Sequence, residues 1–251
     1  MKVVAHILAR NEEQMLPYTL RHYKQFCPEI VVHDLGSTDK TLEIAAAFGV
    51  TVKQHDSGGE FRDMLNKTIR NTCWHGTDAD WVIVGDCDEL MWFGAGAETT
   101  LRCYDEQQVA VVKPIGYEMT ADEFPTGDGL ITDYVKHGAK ETDWYSKPNL
   151  FSPKRVAALD YGTGAHVVTA TLHGGRTILV DNRTPVNSPT VKLLHFHHLG
   201  SVERIGAKYD AVIARLSPEN RKHRWGVQSD GMGHAREKRK MILSRLERVL
   251  P

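Results

Sequence analysis

Two aspartates, Asp86 and Asp88, stand two positions apart directly after an apolar run at residues 81–84. Four apolar residues without alternation predict a strand that is buried on both faces. Residues two apart on a strand point to the same side, and carboxylate oxygens are ligands that Mg²⁺ and Mn²⁺ prefer. The pair is therefore suited to hold a divalent cation against a phosphorylated ligand. The alternative is that both acids only cap the following helix.

Polar residues also follow the other strands that the sequence predicts near the start of the chain. These are residues 10–12 after a strand at 3–8, residues 34–39 after a strand at 30–33, and residues 55–56 after a strand at 50–52. In an open parallel sheet, ligands bind beyond the carboxyl ends of the strands, so these turns should meet at one site. No G-x-G-x-x-G or P-loop pattern occurs at any of them, which argues against a dinucleotide or Walker-type phosphate site.

The elements that must position these turns are predicted from hydrophobic periodicity. The first ninety residues alternate β-branched runs with helical spacing, which indicates βαβ units and a parallel sheet. The predicted helical faces are Leu16, Leu20, Tyr23 and Cys27 in the first helix and Phe61, Leu65 and Ile69 in the third. Beyond about residue 105 the pattern becomes irregular and strand-rich. Two helical patterns end the sequence, one over residues 202–216 and one containing Ile242, Leu246 and Val249.

Length and composition set the class of the protein. The chain has 251 residues, 41% of them hydrophobic, and a formal net charge of -1, which fits one globular domain and gives no overall charge for nucleic acid or membrane. No stretch is apolar enough to span a bilayer, and the four scattered cysteines lack the spacing of a zinc or redox motif. We expect reduced thiols, no transmembrane segment and a cytoplasmic location.

Three of the polar turns together resemble a known family. They resemble the motifs A-R-N-E, D-x-G-S-T-D-x-T and D-x-D of family-2-like glycosyltransferases. The matching segments are Ala9-Arg10-Asn11-Glu12-Glu13, 34–41 (D-L-G-S-T-D-K-T) and 86–89 (D-C-D-E). The later segments 145–151, 162–166 and 193–198 are similar to those of a bacterial and phage branch of that group. The resemblance implies a GT-A fold, which is α/β with a Rossmann-like, mostly parallel central sheet flanked by helices. An irregular, strand-rich acceptor half and C-terminal helices would complete it.

The resemblance also implies a division of the chain and a site. A single domain at 1–251 would comprise a nucleotide-sugar-binding half at 1–92, an acceptor half at 93–200 and C-terminal helices at 201–251. A Mn²⁺ or Mg²⁺ ion would be held by Asp86, Asp88 and His195, with Asp88 the direct ligand and catalytic residue. The residues implied in nucleotide-sugar binding are Ala9, Arg10, Asn11, Glu12, Asp34, Asp39, Arg62, Asn66, Asp86, Cys87 and His166.

Three histidines stand close together at residues 195–198. His195 and His197 alternate on a predicted strand, so both should face one side and His198 the other. A lone histidine there is more often structural than a ligand. The aspartates nearby favour His195 as a metal ligand.

The implied reaction transfers a sugar from a nucleotide-diphosphate donor, a UDP-sugar by preference, to a hydroxyl acceptor that we expect to be a saccharide. If the anomeric centre is inverted, a carboxylate must remove the acceptor proton. Glu123 is a candidate base, and the other candidates are Glu118, Asp122, Asp143, Asp160 and Asp181.

Two alternatives remain open at this point. Basic runs at 221–224 and 236–240 would suit a DNA acceptor bearing a hydroxylated base, which the net charge does not favour. A relative that binds a nucleotide sugar without turnover is the other. The sequence leaves open the donor sugar and nucleotide, the acceptor, the stereochemical outcome and the oligomeric state.

Overall fold

The computed structural model describes residues 1–226 and 230–251, with the backbone alone at residues 142, 143 and 189. Strands and helices alternate over the first third of the chain, as the periodicity predicts. In order they are β1 (Val3–Ala9), α1 (Leu16–Tyr23), β2 (Glu29–Asp34), α2 (Thr41–Ala47), β3 (Thr51–Gln54), α3 (Asp63–Thr72) and β4 (Trp81–Asp86). These four strands are mutually parallel in the order β3-β2-β1-β4. The predicted α/β fold with a parallel central sheet is confirmed.

The middle of the chain is rich in strands. It contains β5 (Glu89–Phe93), α4 (Ala97–Glu106), β6 (Val111–Val112), β7 (Pro114–Ala121), α5 (Ile131–Tyr134), β8 (His137–Lys140), α6 (Thr142–Tyr145), β9 (Leu150–Phe151), β10 (Val156–Tyr161), a 3₁₀ turn (Thr163–Ala165), β11 (Val168–Leu172), β12 (Thr177–Val180) and β13 (Ser188–Leu199). Strand β9 extends the central sheet antiparallel to β4, and β6 pairs antiparallel with β9 at the edge. Strands β10, β11 and β12 form a small antiparallel sheet.

The remaining elements are α7 (Val202–Ala214), α8 (Pro218–His223), α9 (Gly231–Ser244) and β14 (Glu247–Arg248). Strand β14 joins a second large sheet of order β14-β8-β7-β13-β5. In that sheet β13 lies between β7, to which it runs parallel, and β5, to which it runs antiparallel. Strand β5 follows β4 after a two-residue turn, so the chain passes directly from the central sheet into the second sheet.

The core is built on both faces of the central sheet. Alternate residues of β1 enter different clusters: Val3, Ala5 and Ile7 pack with α1, whereas Val4 and Leu8 pack under α3. All four residues predicted as the buried stripe of the first helix are buried. Within the described part of the chain, no helix has the length and apolar character needed to cross a bilayer.

Five predicted helical positions are wrong. Cys27 lies beyond the end of α1. Phe61 lies before α3, where its backbone forms an isolated bridge with Leu216, which itself lies beyond α7. The last helix ends at Ser244, so Leu246 and Val249 are outside it. Leu246 is exposed, and Val249 is buried because its amide pairs with Lys136 near β8. Spacing alone could not reveal these long-range pairings.

Candidate functional site

A cleft of about 600 Å³ opens at the carboxyl ends of β1 and β4. It is lined by the turn after β1, the turn between β4 and β5, the start of α3, strand β13 and one face of α7. This is the edge at which the polar turns were expected to meet. Residues of the turn after β2 also line the cleft. The site is therefore formed by segments that are far apart in the sequence.

The turns after β1 and β2 are joined by hydrogen bonds between their short polar side chains. The amide of Thr38 donates to Asn11 Oδ1 at 2.8 Å, and the amide of Asn11 donates to Ser37 Oγ at 2.9 Å. The amide of Glu13 donates to Asp39 Oδ2 at 3.0 Å. Asn11 has a left-handed backbone with φ of 53°, a conformation that asparagine tolerates better than most residues. The two motifs thus form one rigid wall of the cleft.

Three side chains gather at the floor of the cleft: Asp88, His195 and His197. One ligand atom from each lies within 4.8 Å of the others. His197 Nδ1 is 3.1 Å from Asp88 Oδ2, and His195 Nε2 is 3.8 Å from Asp88 Oδ1. The rings of the two histidines stack with centroids 5.6 Å apart, so both face one side of β13, as the alternation predicted.

Behind this cluster, Glu118 on β7 fixes the orientation of His195. Its carboxylate is fully buried and accepts from His195 Nδ1 at 2.8 Å. It also lies 2.9 Å from Nδ1 of His198, which reaches the same carboxylate because the register between β7 and β13 shifts by one residue between His195 and His198. With Nδ1 engaged, His195 presents Nε2 toward Asp88, which is the arrangement that metal-binding histidines use.

A lysine also reaches the cluster from α7. Lys208 Nζ lies 3.2 Å from Asp88 Oδ2 and 3.0 Å from Glu12 Oε1. Glu12 belongs to the turn after β1, so this one ammonium group bridges two walls of the cleft. It neutralises carboxylate charge at the position where a divalent cation would also be attracted.

The charges shift the protonation of these groups in different directions. Burial alone would raise the pKa of Asp88, but Lys208 and His195 hold it well below its usual range. Burial alone would lower the pKa of His195, but Glu118 and Asp88 raise it to about 9. Burial and the charge of Lys208 lower the pKa of His197 to about 3. In the cluster, Asp88 is therefore a carboxylate and His197 a neutral imidazole. His195 is protonated, and a bound cation would displace its proton.

The donor set fits a divalent transition metal. One carboxylate oxygen and two imidazole nitrogens suit Mn²⁺ better than Mg²⁺, which prefers oxygen ligands. His197 Nε2 is buried without a hydrogen-bond partner among the described residues, and Glu118 already orients His195. The residues that would hold the ion are Asp88, His195 and His197.

Asp86 has different neighbours from Asp88, and its predicted role as a metal ligand stays a prediction. Strand β4 ends at Asp86 and Asp88 lies in the following turn, so the same-side geometry of a strand does not extend to both. Arg70 of α3 forms an ion pair with Asp86 Oδ1, and Lys147 Nζ lies 3.8 Å from Oδ2. Asp86 lies outside the three-residue cluster, but its side chain is about one third exposed and lines the cleft.

Most of the residues predicted to bind the donor or the metal line the cleft; Asp34 and His166 do not, and neither does the candidate base Glu123. Those in the lining are Ala9, Arg10, Asn11, Glu12, Asp39, Arg62, Asn66, Asp86, Cys87, Asp88 and His195. Asp34 is buried, and its carboxylate accepts from the amides of Gly36 and Ser37, which shapes the turn after β2. His166 Nδ1 lies 2.6 Å from the carbonyl oxygen of Trp144, and Glu123 is exposed on a loop. Roles for these three in the reaction stay predictions.

The other candidate bases are engaged elsewhere. Glu118 is enclosed behind His195, and Asp122 forms an ion pair with Arg239. Asp160 pairs with Lys67, and Asp181 accepts from the amide of Thr184 within a turn. The side chain of Asp143 lies outside what the structure describes. Whether any of these residues acts as the base stays a prediction.

Asp63 is an acid of the cleft that sequence reasoning missed. It begins α3, lines the cleft and is buried, and its Oδ2 accepts from Asn220 Nδ2 at 2.7 Å. Burial raises its pKa, although the hydrogen bond from Asn220 opposes the shift. His197, Lys208 and Arg70 were missed as well. Of these missed residues, only His197 could have been found from the sequence, because it alternates with His195 on the predicted strand.

Comparison with known proteins gives partial likenesses. No protein-family model matches the chain. A TPR repeat-containing protein from Synechococcus elongatus is 30% identical over 114 residues, which are 45% of this chain and 27% of that protein. The chain thus spans about a quarter of the length of this curated relative.

Solved structures that resemble the chain include S. aureus TarS (residues 1–349), with a TM-score of 0.42, 17% identity, 61% of this chain covered and 47% of that chain. Another is glucosyl-3-phosphoglycerate synthase from Mycobacterium tuberculosis, in complex with Mn²⁺, uridine diphosphate and glucosyl-3-phosphoglycerate. Its TM-score is 0.31, its identity 19%, and the match covers 46% of this chain and 44% of that chain.

Proposed function

We propose that this chain is a metal-dependent glycosyltransferase of the GT-A type that transfers a sugar from a nucleotide-diphosphate donor to a hydroxyl group. The observation that carries the proposal is the cluster of Asp88, His195 and His197 at the floor of the cleft. It lies where the motifs after β1, β2 and β4 meet, and those motifs carry the family resemblance. A UDP-sugar as donor and a saccharide as acceptor belong to this proposal.

The cleft separates positive and negative groups in a way that suits a diphosphate. The acids at its floor would repel phosphate, and a bound Mn²⁺ would supply Lewis-acid stabilisation of the leaving diphosphate. Arg10, Arg62, Arg204 and Arg215 line its walls. Arg62 also forms an ion pair with Glu60 at 2.9 Å, so its guanidinium is held near the start of α3. These arginines would bind and orient the phosphate oxygens.

The residues of this chain have separate tasks in the proposed reaction. Asp88, His195 and His197 hold the cation, and Glu118 keeps Nε2 of His195 directed at it. Asn66 lies on the α3 side of the cleft, where it can position the donor sugar. Asp63 also lines the cleft, and we propose its carboxylate, whose pKa is raised by burial, as the base that removes the proton of the acceptor.

The proposal is tested by the thermal stability of the protein with UDP-, GDP-, CMP- and dTDP-sugars, each with and without Mn²⁺. A ligand at 100 times its dissociation constant stabilises by about 2.7 kcal/mol. We expect stabilisation by one nucleotide sugar, and only with Mn²⁺. Release of the free sugar or its transfer to an added saccharide then measures turnover.

Two variants give the matched controls. Asp88→Asn should remove the metal-dependent stabilisation, whereas Glu123→Gln on the exposed loop should keep it. Metal-independent binding of the donor by both variants would refute the metal-dependent mechanism. Binding without any sugar release or transfer would instead support a protein that binds nucleotide sugars without turnover.

A further inference from the structure

A second group of metal-binding side chains lies under α3, on the face of the central sheet that carries Val4 and Leu8. It consists of His6 on β1, His33 on β2 and Cys73, which ends α3. One ligand atom from each of the three lies within 4.8 Å of the others. None of these residues lines the cleft, so the group is separate from the site described above.

We propose that His6, His33 and Cys73 form a binding site for Zn²⁺. The site would connect the end of α3 with β1, on which α3 packs through apolar side chains, and with β2, which pairs with β1 in the central sheet. The proposal is independent of the glycosyltransferase function.

The geometry of the two rings supports a shared cation. His6 Nδ1 and His33 Nε2 face each other at 3.0 Å, and both side chains are buried, with 4% and 1% exposure. Two nitrogens bound to one tetrahedral zinc, each about 2.0–2.1 Å from it, are roughly 3.3 Å apart. A small adjustment of either ring would therefore admit the ion between them.

The second nitrogen of His33 contacts His55, as is expected for a histidine that binds a metal through its first nitrogen. His33 Nδ1 lies 2.9 Å from Nε2 of His55, which is partly exposed. If His33 Nε2 binds the metal, its Nδ1–H donates to His55, and metal-binding histidines almost always have such a partner.

The kinds of ligand select the metal. Two imidazoles and one thiolate suit Zn²⁺ and exclude Mg²⁺, and three protein ligands leave one position for water. Burial lowers the pKa of His6 to about 4 and that of His33 to about 3, so both rings are neutral and able to bind. Burial raises the pKa of Cys73 to about 12, although Arg70 and Lys53 oppose the shift. Binding at Cys73 must therefore release a proton.

The test uses Co²⁺ as a spectroscopic probe and Zn²⁺ for affinity, with the whole chain. A thiolate ligand gives Co²⁺ a charge-transfer absorption band. Asp88, His195 and His197 contain no sulfur, so Co²⁺ bound by these three residues would not give the band. The band therefore shows that a cysteine binds the metal. We expect the band in the parent protein and in His197→Gln, which alters the other cluster. In His197→Gln it should saturate at one equivalent of Co²⁺, and it should disappear when Zn²⁺ displaces the cobalt.

Variants locate the site. Cys73→Ser should abolish the band and weaken Zn²⁺ binding by at least about 100-fold, more than the loss of an outer partner causes. His55→Ala should weaken binding by about 10-fold and keep the band. Cys103→Ser is the matched control, since Cys103 is an exposed free thiol, and it should behave as the parent protein.

Thermal stability gives a second measurement that does not depend on the band. In the His197→Gln background, where the cluster of the cleft is altered, Zn²⁺ should raise the unfolding temperature of the protein and of its Cys103→Ser variant, and not that of its Cys73→Ser variant. Absence of the band in the parent protein would overturn the proposal. So would equal Zn²⁺ affinity in Cys73→Ser and the parent, because the ion would then be bound elsewhere.

Discussion

The change of Glu118 to glutamine separates two roles for this residue, a base for the acceptor and a support for His195. Glutamine keeps the size of the side chain and removes its charge. The carboxylate is fully buried, 2.8 Å from His195 Nδ1 and 2.9 Å from His198 Nδ1. At an effective dielectric constant of 20, a charge contact at 2.8 Å corresponds to an upper limit of about 6 kcal/mol.

Desolvation offsets much of that attraction, and the measured effect of outer partners on metal affinity is about 10–100-fold. We therefore expect Glu118→Gln to weaken Mn²⁺ binding by this factor. Turnover of the donor should recover when Mn²⁺ is saturating. A general base would behave differently, because its loss lowers turnover by about 10²–10⁴-fold at any metal concentration.

The assay titrates Mn²⁺ by the electron paramagnetic resonance signal of the free ion and measures donor hydrolysis at the same concentrations. Glu106→Gln, at the exposed end of α4 and outside the cleft, is the matched control and should change neither quantity. Circular dichroism checks that the buried substitution leaves the fold intact. Unchanged Mn²⁺ affinity together with a turnover that saturating metal does not restore would refute the supporting role of Glu118.

Three further changes test other parts of the structure. Asp88→Asn should lower Mn²⁺ affinity at least about 100-fold in a protein that remains folded, and unchanged affinity by calorimetry would exclude Asp88 as a ligand. Lys208→Met should tighten Mn²⁺ binding about 10-fold, because an ammonium 3.2 Å from Asp88 Oδ2 competes with the cation, and weaker binding would contradict this competition. Burial lowers the pKa of His22 from 6.5 to about 4, so the unfolded chain binds more protons below pH 6.5 and stability falls as the pH falls toward 4. In His22→Gln, the glutamine amide can replace the imidazole as hydrogen-bond donor to the carbonyl oxygen of Met91. The unfolding free energy of this variant should fall by about 2 kcal/mol less than that of the parent between pH 7 and pH 5. An equal fall in both proteins, measured by urea titration, would contradict this assignment.

The local sequence was sufficient to predict the parallel part of the fold. Helical spacing and unbroken apolar runs depend on neighbours within a few residues, so β1 to β4 and their helices were predicted within a few positions. The polar turns were then assigned to one edge, because parallel strands end together. This reasoning brought Arg10, Asn11, Asp39, Asp86 and Asp88 to one cleft, as the structure has them.

The partners of Asp88 were determined by the tertiary structure. His195 and His197 lie more than a hundred residues away and reach Asp88 because β13 pairs with β5, the strand that follows its turn. The shift in register between β7 and β13 brings both His195 and His198 to Glu118, which the sequence had offered as a base. Such pairing is set by packing over the whole chain, and a one-residue shift changes which side chains meet.

The sequence by itself determined the carboxyl-end cleft and the chemical types that line it, since periodicity and turn composition are local properties. Only the tertiary structure decided which of those groups are close enough to act together. Arg70 and Lys147 pair with Asp86, while Lys208 and the two histidines surround Asp88. Two aspartates of one short motif thus have different surroundings, because electrostatic interactions depend on distances that only folding establishes.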